Sequence, residues 1–491
     1  MHKKTGFALR AICLGVLLAI LTHIINNVLV PKKYFDNMWP TTSTYKGLYE
    51  MKRDTVDILF FGSSHAASGF CPQVMYNSRG IRSYNLACEQ QNLLVSYYWL
   101  LEAMRYQSPE VVVLDPYVFF NYNKKEALNT QESCTRMAMD PMRWSKVKWT
   151  AVNDICRYDT KQSLGSYILR NVRFHDRWTE LSEQDFSSVQ MQKHYELKGY
   201  APLSEIGKYI NIDYAPMDAY NTEDVEEPNE LMKVYMDKMV EVCKDRGIDL
   251  VLVKTPSNQW FYTRHNAIQR YADDKGLIFI DFNDKKYYDN CGFVFKEDMH
   301  DVEHANIWGA DKITRYLADY LVEHIDSLAN ITDEQWEAAN EYYNRIVRDC
   351  TLKHIDNIDE YFNAINEDRY AILIAVKNDL DNSLIEDMRS RFNLLGLEFN
   401  ITPGENYAAS IYEGKRYEEG GMNSVKISGS TRNKRTDFVI ISGGAKGEKE
   451  CSIILDNCET SLNKQGINFV VYDNETWKII DSMSYDGSIN R

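Results

Sequence analysis

The sequence predicts an α/β fold built on a parallel sheet, followed by a β-rich α+β domain and preceded by one transmembrane helix. Three observations carry that expectation. Short apolar runs alternate with helix-like stretches between residues 56 and 325, several short strands separated by Gly, Asn and Ser turns follow residue 366, and residues 11–30 form one long apolar stretch. Apolar runs too short for helices, set between helical windows, are the pattern of crossover units in a parallel sheet.

The amino terminus comes first. Lys3, Lys4 and Arg10 precede the apolar stretch, which is interrupted by His23, Asn26 and Asn27. About 20 apolar residues span a hydrocarbon core, so this is a candidate span of marginal continuity. No small-x-small cleavage pattern follows it, and residues 1–35 are therefore expected to be an uncleaved signal anchor. Lys32 and Lys33 on the far side weaken the positive-inside argument. A buried helix of a cytoplasmic protein is the competing structure. An anchor makes the protein single-pass at the cell membrane, with the remainder extracytoplasmic.

Strand-like runs at 56–61, 83–87 and 111–115 surround a helical stretch at 92–106. A second block repeats the alternation, with a helix at 229–246, a strand at 250–253, a helix at 267–275, a strand at 278–281 and a last helix at 308–325. These define a sheet domain over 50–328. Within it, 122–227 is poor in apolar runs and rich in aromatics, which marks an insertion. Its His175-Asp176-Arg177-Trp178 motif is a candidate contact for an anionic or sugar substrate through His175 and Arg177, although such clusters are more often packed, hydrogen-bonded corners. Residues 329–365 are charged and helical, as in a connector, and 366–491 form the β-rich domain.

Composition narrows the function. At 491 residues the chain exceeds one ordinary core. A net charge of −15 without a long Lys/Arg run excludes a nucleic-acid surface, because phosphate binding needs clustered cations. Ten cysteines show no C-x-x-C spacing, so no metal is expected, and no cofactor is implied. Cys451 and Cys458 are the closest couple for a disulfide, with buried free thiols the alternative for most of the ten.

The chemistry centres on Phe60-Phe61-Gly62-Ser63-Ser64-His65, where an apolar run stops at a strand-to-helix turn. Such a turn presents a hydroxyl at the carboxyl edge of a parallel sheet. Ser64 is the candidate nucleophile, and a serine needs a base and an orienting acid. Asp301-Val302-Glu303-His304, just before the last helix, supplies both. His304 is then the base and Asp301 fixes its tautomer, while the Ser64 backbone amide is an oxyanion donor.

These segments resemble the SGNH/GDSL hydrolase superfamily. The resemblance rests on Phe-Gly-Ser-Ser-His, on Tyr84-Asn85-Leu86-Ala87, and on Asp301 to Asn306 with Gly309-Ala310. It is nearest the membrane-anchored bacterial branch that holds the teichoic-acid D-alanyl transfer protein and the alginate O-acetyltransferases. It implies a flavodoxin-like three-layer fold, ester chemistry at Ser64, Asp301 and His304, substrate contact at Asn85, and a membrane-bound acyl-transfer partner. Two departures concern the oxyanion hole. The family's second-block glycine is absent around Cys88-Glu89-Gln90-Gln91, leaving the Gln90 amide as the donor in a backbone that would be strained at positive φ, and Gly-x-Asn-Asp is missing after Leu114-Asp115-Pro116-Tyr117.

The last 120 or so residues are similar to the interleukin-like EMT inducer domain through Gly466-Ile467-Asn468-Phe469-Val470-Val471-Tyr472-Asp473, Tyr485-Asp486, Ala375-Val376-Lys377-Asn378-Asp379 and 393–397, in permuted order. That resemblance implies glycan binding. Taken together, the expected function is acyl transfer or ester hydrolysis on a surface glycan. The alternative is a non-catalytic glycan-binding or scaffolding protein that kept the hydrolase fold.

Overall fold

The computed structural model describes residues 2–30, 41–120, 128, 132–181, 183–186, 196–328, 330–377, 380–430, 437–443, 451–474 and 478–491. Lys32, Lys33, Asn378 and Asp379 lie outside the described residues. The chain divides into two compact units, 1–344 and 345–491.

In the first unit, helix α1 (His2–Leu29) contains a stretch, Leu9–Leu29, of 21 residues with mean hydropathy 2.1, long and apolar enough to cross a membrane. Its large apolar side chains from Leu9 to Ile25 are 45–64% exposed, as a lipid-facing helix requires. Asn27 and His23, one turn apart, hydrogen-bond each other at 3.0 Å, so the polar interruption satisfies itself.

After α2 (Thr41–Leu48) the alternation predicted from the sequence follows. Strand β1 (Ile58–Phe61) leads into α3 (Ser64–Gly69) and α4 (Pro72–Arg79), then β2 (Ser83–Asn85), α5 (Leu93–Ala103) and β3 (Val111–Leu114). Helices α6 (Glu132–Met139), α7 (Lys146–Tyr158) and α8 (Leu164–Ile168) lie in the aromatic-rich stretch, and α9 (Glu230–Arg246) returns the chain to β4 (Asp249–Lys254). Next come α10 (Tyr262–Lys275), β5 (Ile278–Asp281), α11 (Lys285–Asn290), α12 (Phe295–Asp298) and α13 (Ile307–His324).

The five strands are parallel in the order β2-β1-β3-β4-β5. Every residue of β1 and β3 is fully buried, which is why each appears as an unbroken apolar run rather than an alternating one. Because β2 lies on one side of β1 and β3 on the other, the winding reverses there. A crevice opens beyond the carboxyl ends of β1 and β3 at such a reversal. The outer edge of β2 is covered by the chain returning after 195. Asn85 N–H donates to the Lys198 carbonyl at 2.9 Å, and Gly199 (φ +87°) lies so close that a Cβ would sit 1.9 Å from the Asn85 carbonyl oxygen.

The division between units falls inside α14 (Glu334–Leu352), and α15 (Ile358–Ile365) follows. The second unit holds β6 (Tyr370–Lys377), α16 (Asn382–Leu394), β7 (Asn406–Tyr412), β8 (Lys415–Gly421), β9 (Val425–Ser430), β10 (Asp437–Ser442), β11 (Cys451–Leu455), β12 (Cys458–Glu459), β13 (Gly466–Asp473), β14 (Ile479–Tyr485) and β15 (Ile489–Asn490). They form two antiparallel sheets, β15-β14-β13-β6-β7-β8 and β12-β11-β10-β9. Strand β6 shows how the layers stack. Ile372, Ile374 and Val376 pack in one core with Phe362, Met388 and Phe392 of the helices, while Ala371, Leu373 and Ala375 pack in another with Phe438, Ile440 and Ile453 of the smaller sheet. Alternate side chains of a strand point to opposite faces, so one apolar strand serves both cores. All ten cysteines are free thiols; Cys451 is buried and Cys458 exposed.

Candidate functional site

The site begins where β1 ends. Gly62 has φ +149°, and a Cβ there would meet the Ala66 Cβ at 2.7 Å and the Asp115 Cβ at 3.0 Å, so only glycine fits the turn. Ser63 is extended and Ser64 starts α3, 8% exposed at the crevice. Ser64 Oγ donates to His304 Nε2 at 2.8 Å.

His304 comes from the segment between α12 and α13. An isolated antiparallel bridge pairs Met299 with Ala305, and His300 N–H donates to the His304 carbonyl at 2.7 Å, closing the segment into a tight loop. Asp301 organises its interior. Its Oδ1 accepts from the backbone N–H groups of Glu303 and His304 at 2.8 and 2.9 Å, and its two oxygens lie 2.9 and 3.1 Å from His304 Nδ1. Partial burial opposes ionisation of Asp301, but the bond and charge of His304 and the two backbone donors outweigh it and bring the carboxyl down to about 2. An ionised carboxylate at Nδ1 puts the imidazole proton there, leaving Nε2 to accept from Ser64. The loop is fixed by Asn306, whose Oδ1 caps α13 through Trp308 and Gly309 N–H at 3.1 and 3.0 Å. Its amide nitrogen donates to the carbonyls of Glu205, Glu297 and Met299.

Beneath this chain lies a buried polar layer. Asp115, directly after β3, accepts from Tyr117 N–H at 2.9 Å, Thr255 N–H at 3.1 Å and Thr255 Oγ1 at 2.9 Å. Its Oδ2 is 3.4 Å from Lys254 Nζ at the end of β4, with both side chains fully buried. Lys254 Nζ also donates to the Thr255 carbonyl at 2.8 Å and lies 3.4 Å from His65 Nδ1. Burial lowers the Lys254 ammonium against the opposing pull of Asp115. Burial first, then the neighbouring Lys254, holds His65 well below its ordinary value and therefore neutral. The His65 ring lies 3.8 Å from that of Tyr117 and 5.1 Å from that of His304. Tyr117 Oη donates to Glu303 at 2.7 Å, linking this layer back to the histidine loop. At the end of β5, Asp281 accepts from Trp260 Nε1 at 2.8 Å and His265 Nδ1 at 2.7 Å. Burial opposes ionisation of Asp281, yet His265 and Asn283 bring its carboxyl below the ordinary range.

The other residues singled out in the sequence are placed as follows. Asn85 is fully buried, and its amide donates to the Ala66 and Phe70 carbonyls at 2.7 and 3.0 Å, which ties β2 to α3. Gln90 sits in the turn before α5 at φ +48°, the left-handed conformation expected of a glycine. His175 and Arg177 stand elsewhere: His175 Nδ1 bonds the Val172 carbonyl at 2.9 Å, and Arg177 donates to the Leu29 carbonyl at 2.6 Å and to Asp185 at 2.9 Å. The Arg177 bond to Leu29 attaches the motif to the end of α1, and the other two are local.

His65, Asp115, Tyr117, Lys254 and Glu303 were not picked out from the sequence. A signal was available, since Ser63, Asp115, Lys254 and Asp281 each follow or close an apolar run at a strand's carboxyl end. Among the described residues, no group of three or more His, Cys, Asp or Glu side chains is arranged as a metal site. No protein-family model matches the chain, and no curated protein matches it.

Proposed function

We propose that the protein is a serine O-acyltransferase or acyl esterase of the SGNH/GDSL type, acting outside the cytoplasm on a surface or exported polysaccharide. The observation that carries this reading is the chain of hydrogen bonds from Ser64 Oγ through His304 to Asp301, built from two segments 240 residues apart. The strand order β2-β1-β3-β4-β5 supports a flavodoxin-like sheet, in which ligands bind beyond the carboxyl ends at the reversal beside Ser64.

In this reading Ser64 Oγ attacks the ester carbonyl while His304 Nε2 takes the hydroxyl proton. His304 then gives that proton to the departing alkoxide as the carbon–oxygen bond breaks, leaving the acyl group on Ser64. A sugar hydroxyl or water resolves the acyl-enzyme by the same proton path in reverse. Ser64 N–H and Gln90 N–H are the oxyanion donors. Gln90 at φ +48° holds the left-handed conformation that the family's glycine would take at this turn. The second unit, through its likeness to the interleukin-like EMT inducer domain, is proposed to bind glycan, and a membrane-bound partner to supply the acyl group.

Reaction of the full chain with a fluorophosphonate probe or an activated acetyl ester tests the proposal. Covalent labelling that disappears in Ser64→Ala supports it. No labelling of the wild type, or equal labelling of both, leaves the non-catalytic glycan-binding protein instead. Protease digestion of intact cells tests the side of the membrane, since a domain protected from external protease contradicts an extracytoplasmic site.

A further inference from the structure

Helix α1 is open to its surroundings over most of its length but covered at its carboxyl end, where Leu29 is buried. The cover comes from residues 164–181 and 183–186. Asn171 N–H donates to Asn26 Oδ1 at 2.9 Å, and Arg177 donates to the Leu29 carbonyl at 2.6 Å. Three short 3-10 turns, Arg170–Val172, His175–Thr179 and Glu183–Phe186, pack against the helix. This same stretch leaves five large apolar side chains in the open: Ile168 at 47%, Leu169 at 40%, Val172 at 55%, Trp178 at 69% and Phe186 at 70% exposed. A water-facing surface does not ordinarily concentrate that much apolar area in so few residues.

Depth along α1 supplies the explanation. At 1.5 Å per residue the stretch Leu9–Leu29 is about 31 Å long, against about 30 Å of hydrocarbon. Leu29 therefore reaches one boundary of the hydrocarbon, and Asn26 lies about 4–5 Å inside it. Groups hydrogen-bonded to both residues sit at the headgroup–acyl boundary.

We propose that residues 164–181 and 183–186 form a membrane-interfacial collar whose apolar side chains enter the headgroup–acyl boundary of the bilayer that α1 crosses. The proposal rests on α1 lying in a bilayer. Its occupant is lipid because the stretch is fastened to a lipid-facing helix at boundary depth, where tryptophan and other amphipathic aromatics are favoured. Arg173 and Arg177 are already ion-paired with Asp140 and Asp185, so apolar area rather than anionic headgroups drives the contact. Span and collar together fix the tilt of the first unit on the membrane, where a single tether would leave it free to swing. The His175-Asp176-Arg177-Trp178 motif then serves attachment.

The test uses the full chain in phosphatidylcholine vesicles, with and without brominated acyl chains, comparing wild type with Trp178→Phe. Trp178 is exposed, so the substitution leaves the fold intact, and subtracting the two emission spectra isolates this one of nine tryptophans. The difference emission is expected to be blue-shifted and to lose about half its intensity to brominated lipid. The loss should be unchanged by anionic lipid or salt. If the protein floats with the vesicles but the difference emission is unquenched, the collar is overturned, and blue-shifted unquenched emission assigns the surface to a second copy of the chain. If the protein does not float, the anchor itself fails and the collar with it.

Discussion

Asp301 decides which nitrogen of His304 carries the proton, and a single-atom change can reverse that choice. In Asp301→Asn the amide cannot be an ionised acceptor at Nδ1, so the imidazole loses its preference for the tautomer that accepts from Ser64. Acylation by an activated ester should fall on the order of 10³- to 10⁴-fold with the fold retained; a loss of less than tenfold would show that Asp301 does not orient the base. The same residue gives a pH signature. Its folded carboxyl titrates at about 2 against an ordinary 3.8. A depressed carboxyl contributes stability in full above the ordinary value and loses it as pH falls toward the folded value. The stability difference between wild type and Asp301→Asn, followed by denaturant titration, should therefore shrink between pH 4 and pH 2. At this scale the sequence was partly legible. Ser64, His304 and Asp301 stand out because a serine, a histidine and a carboxylate each occupy a recognisable turn. Lys254 and Asp115 do not, because a buried ion pair joins side chains 139 positions apart, and neither residue alone departs from an ordinary strand end.

Elements carry these residues to one another, and the cap of α13 is the joint that matters most. Asn306 is fully buried, accepts two N–H groups of α13 and donates to the Glu297 and Met299 carbonyls before the histidine loop and to the Glu205 carbonyl of a separate segment. Asn306→Ala removes the cap, worth about 1 kcal/mol, and the amide's bonds to the Glu205 and Glu297 carbonyls, worth about 0.5–1.5 kcal/mol each. A total loss of about 2–4 kcal/mol is expected from the same principles, seen as a lower urea midpoint at unchanged slope. Probe labelling should fall as well, because His304 loses its frame; a stability loss with full labelling would show that the loop holds without its cap. The parallel strands were evident beforehand because β1, β3 and β4 are buried on both faces and β5 nearly so. Strand β8 was not. Its sequence, Lys415-Arg416-Tyr417-Glu418-Glu419-Gly420-Gly421, is almost wholly exposed and becomes a strand through pairing with β7. Helix α16 was also missed, its three buried residues, Ile385, Met388 and Phe392, being scattered among charged ones.

Across the whole molecule, each compact unit has cores of its own, which lets either one open without the other. The second unit has a sensitive point suited to testing this. Arg369 is 10% exposed and donates to Asp473 at 3.0 Å, to Glu367 at 3.0 Å, and to Asp349 and Tyr370 Oη. Burial pushes the Asp349 carboxyl up, against the pull of Arg369. Arg369→Met removes the guanidinium and leaves Asp473 and Asp349 buried without its countercharge, a change that typically costs about 3–5 kcal/mol. If the units are separate cooperative blocks, hydrogen exchange at pH 7 should speed up in β6 and β13, which the guanidinium helps hold, while β1, β3 and β4 keep the wild-type rates. The acceleration should lessen at low pH as Asp349, its carboxyl raised by burial, takes up its proton and needs the cation less. Equal acceleration in both units would mean that they open together, and that the boundary inside α14 separates two cores without separating two folding units.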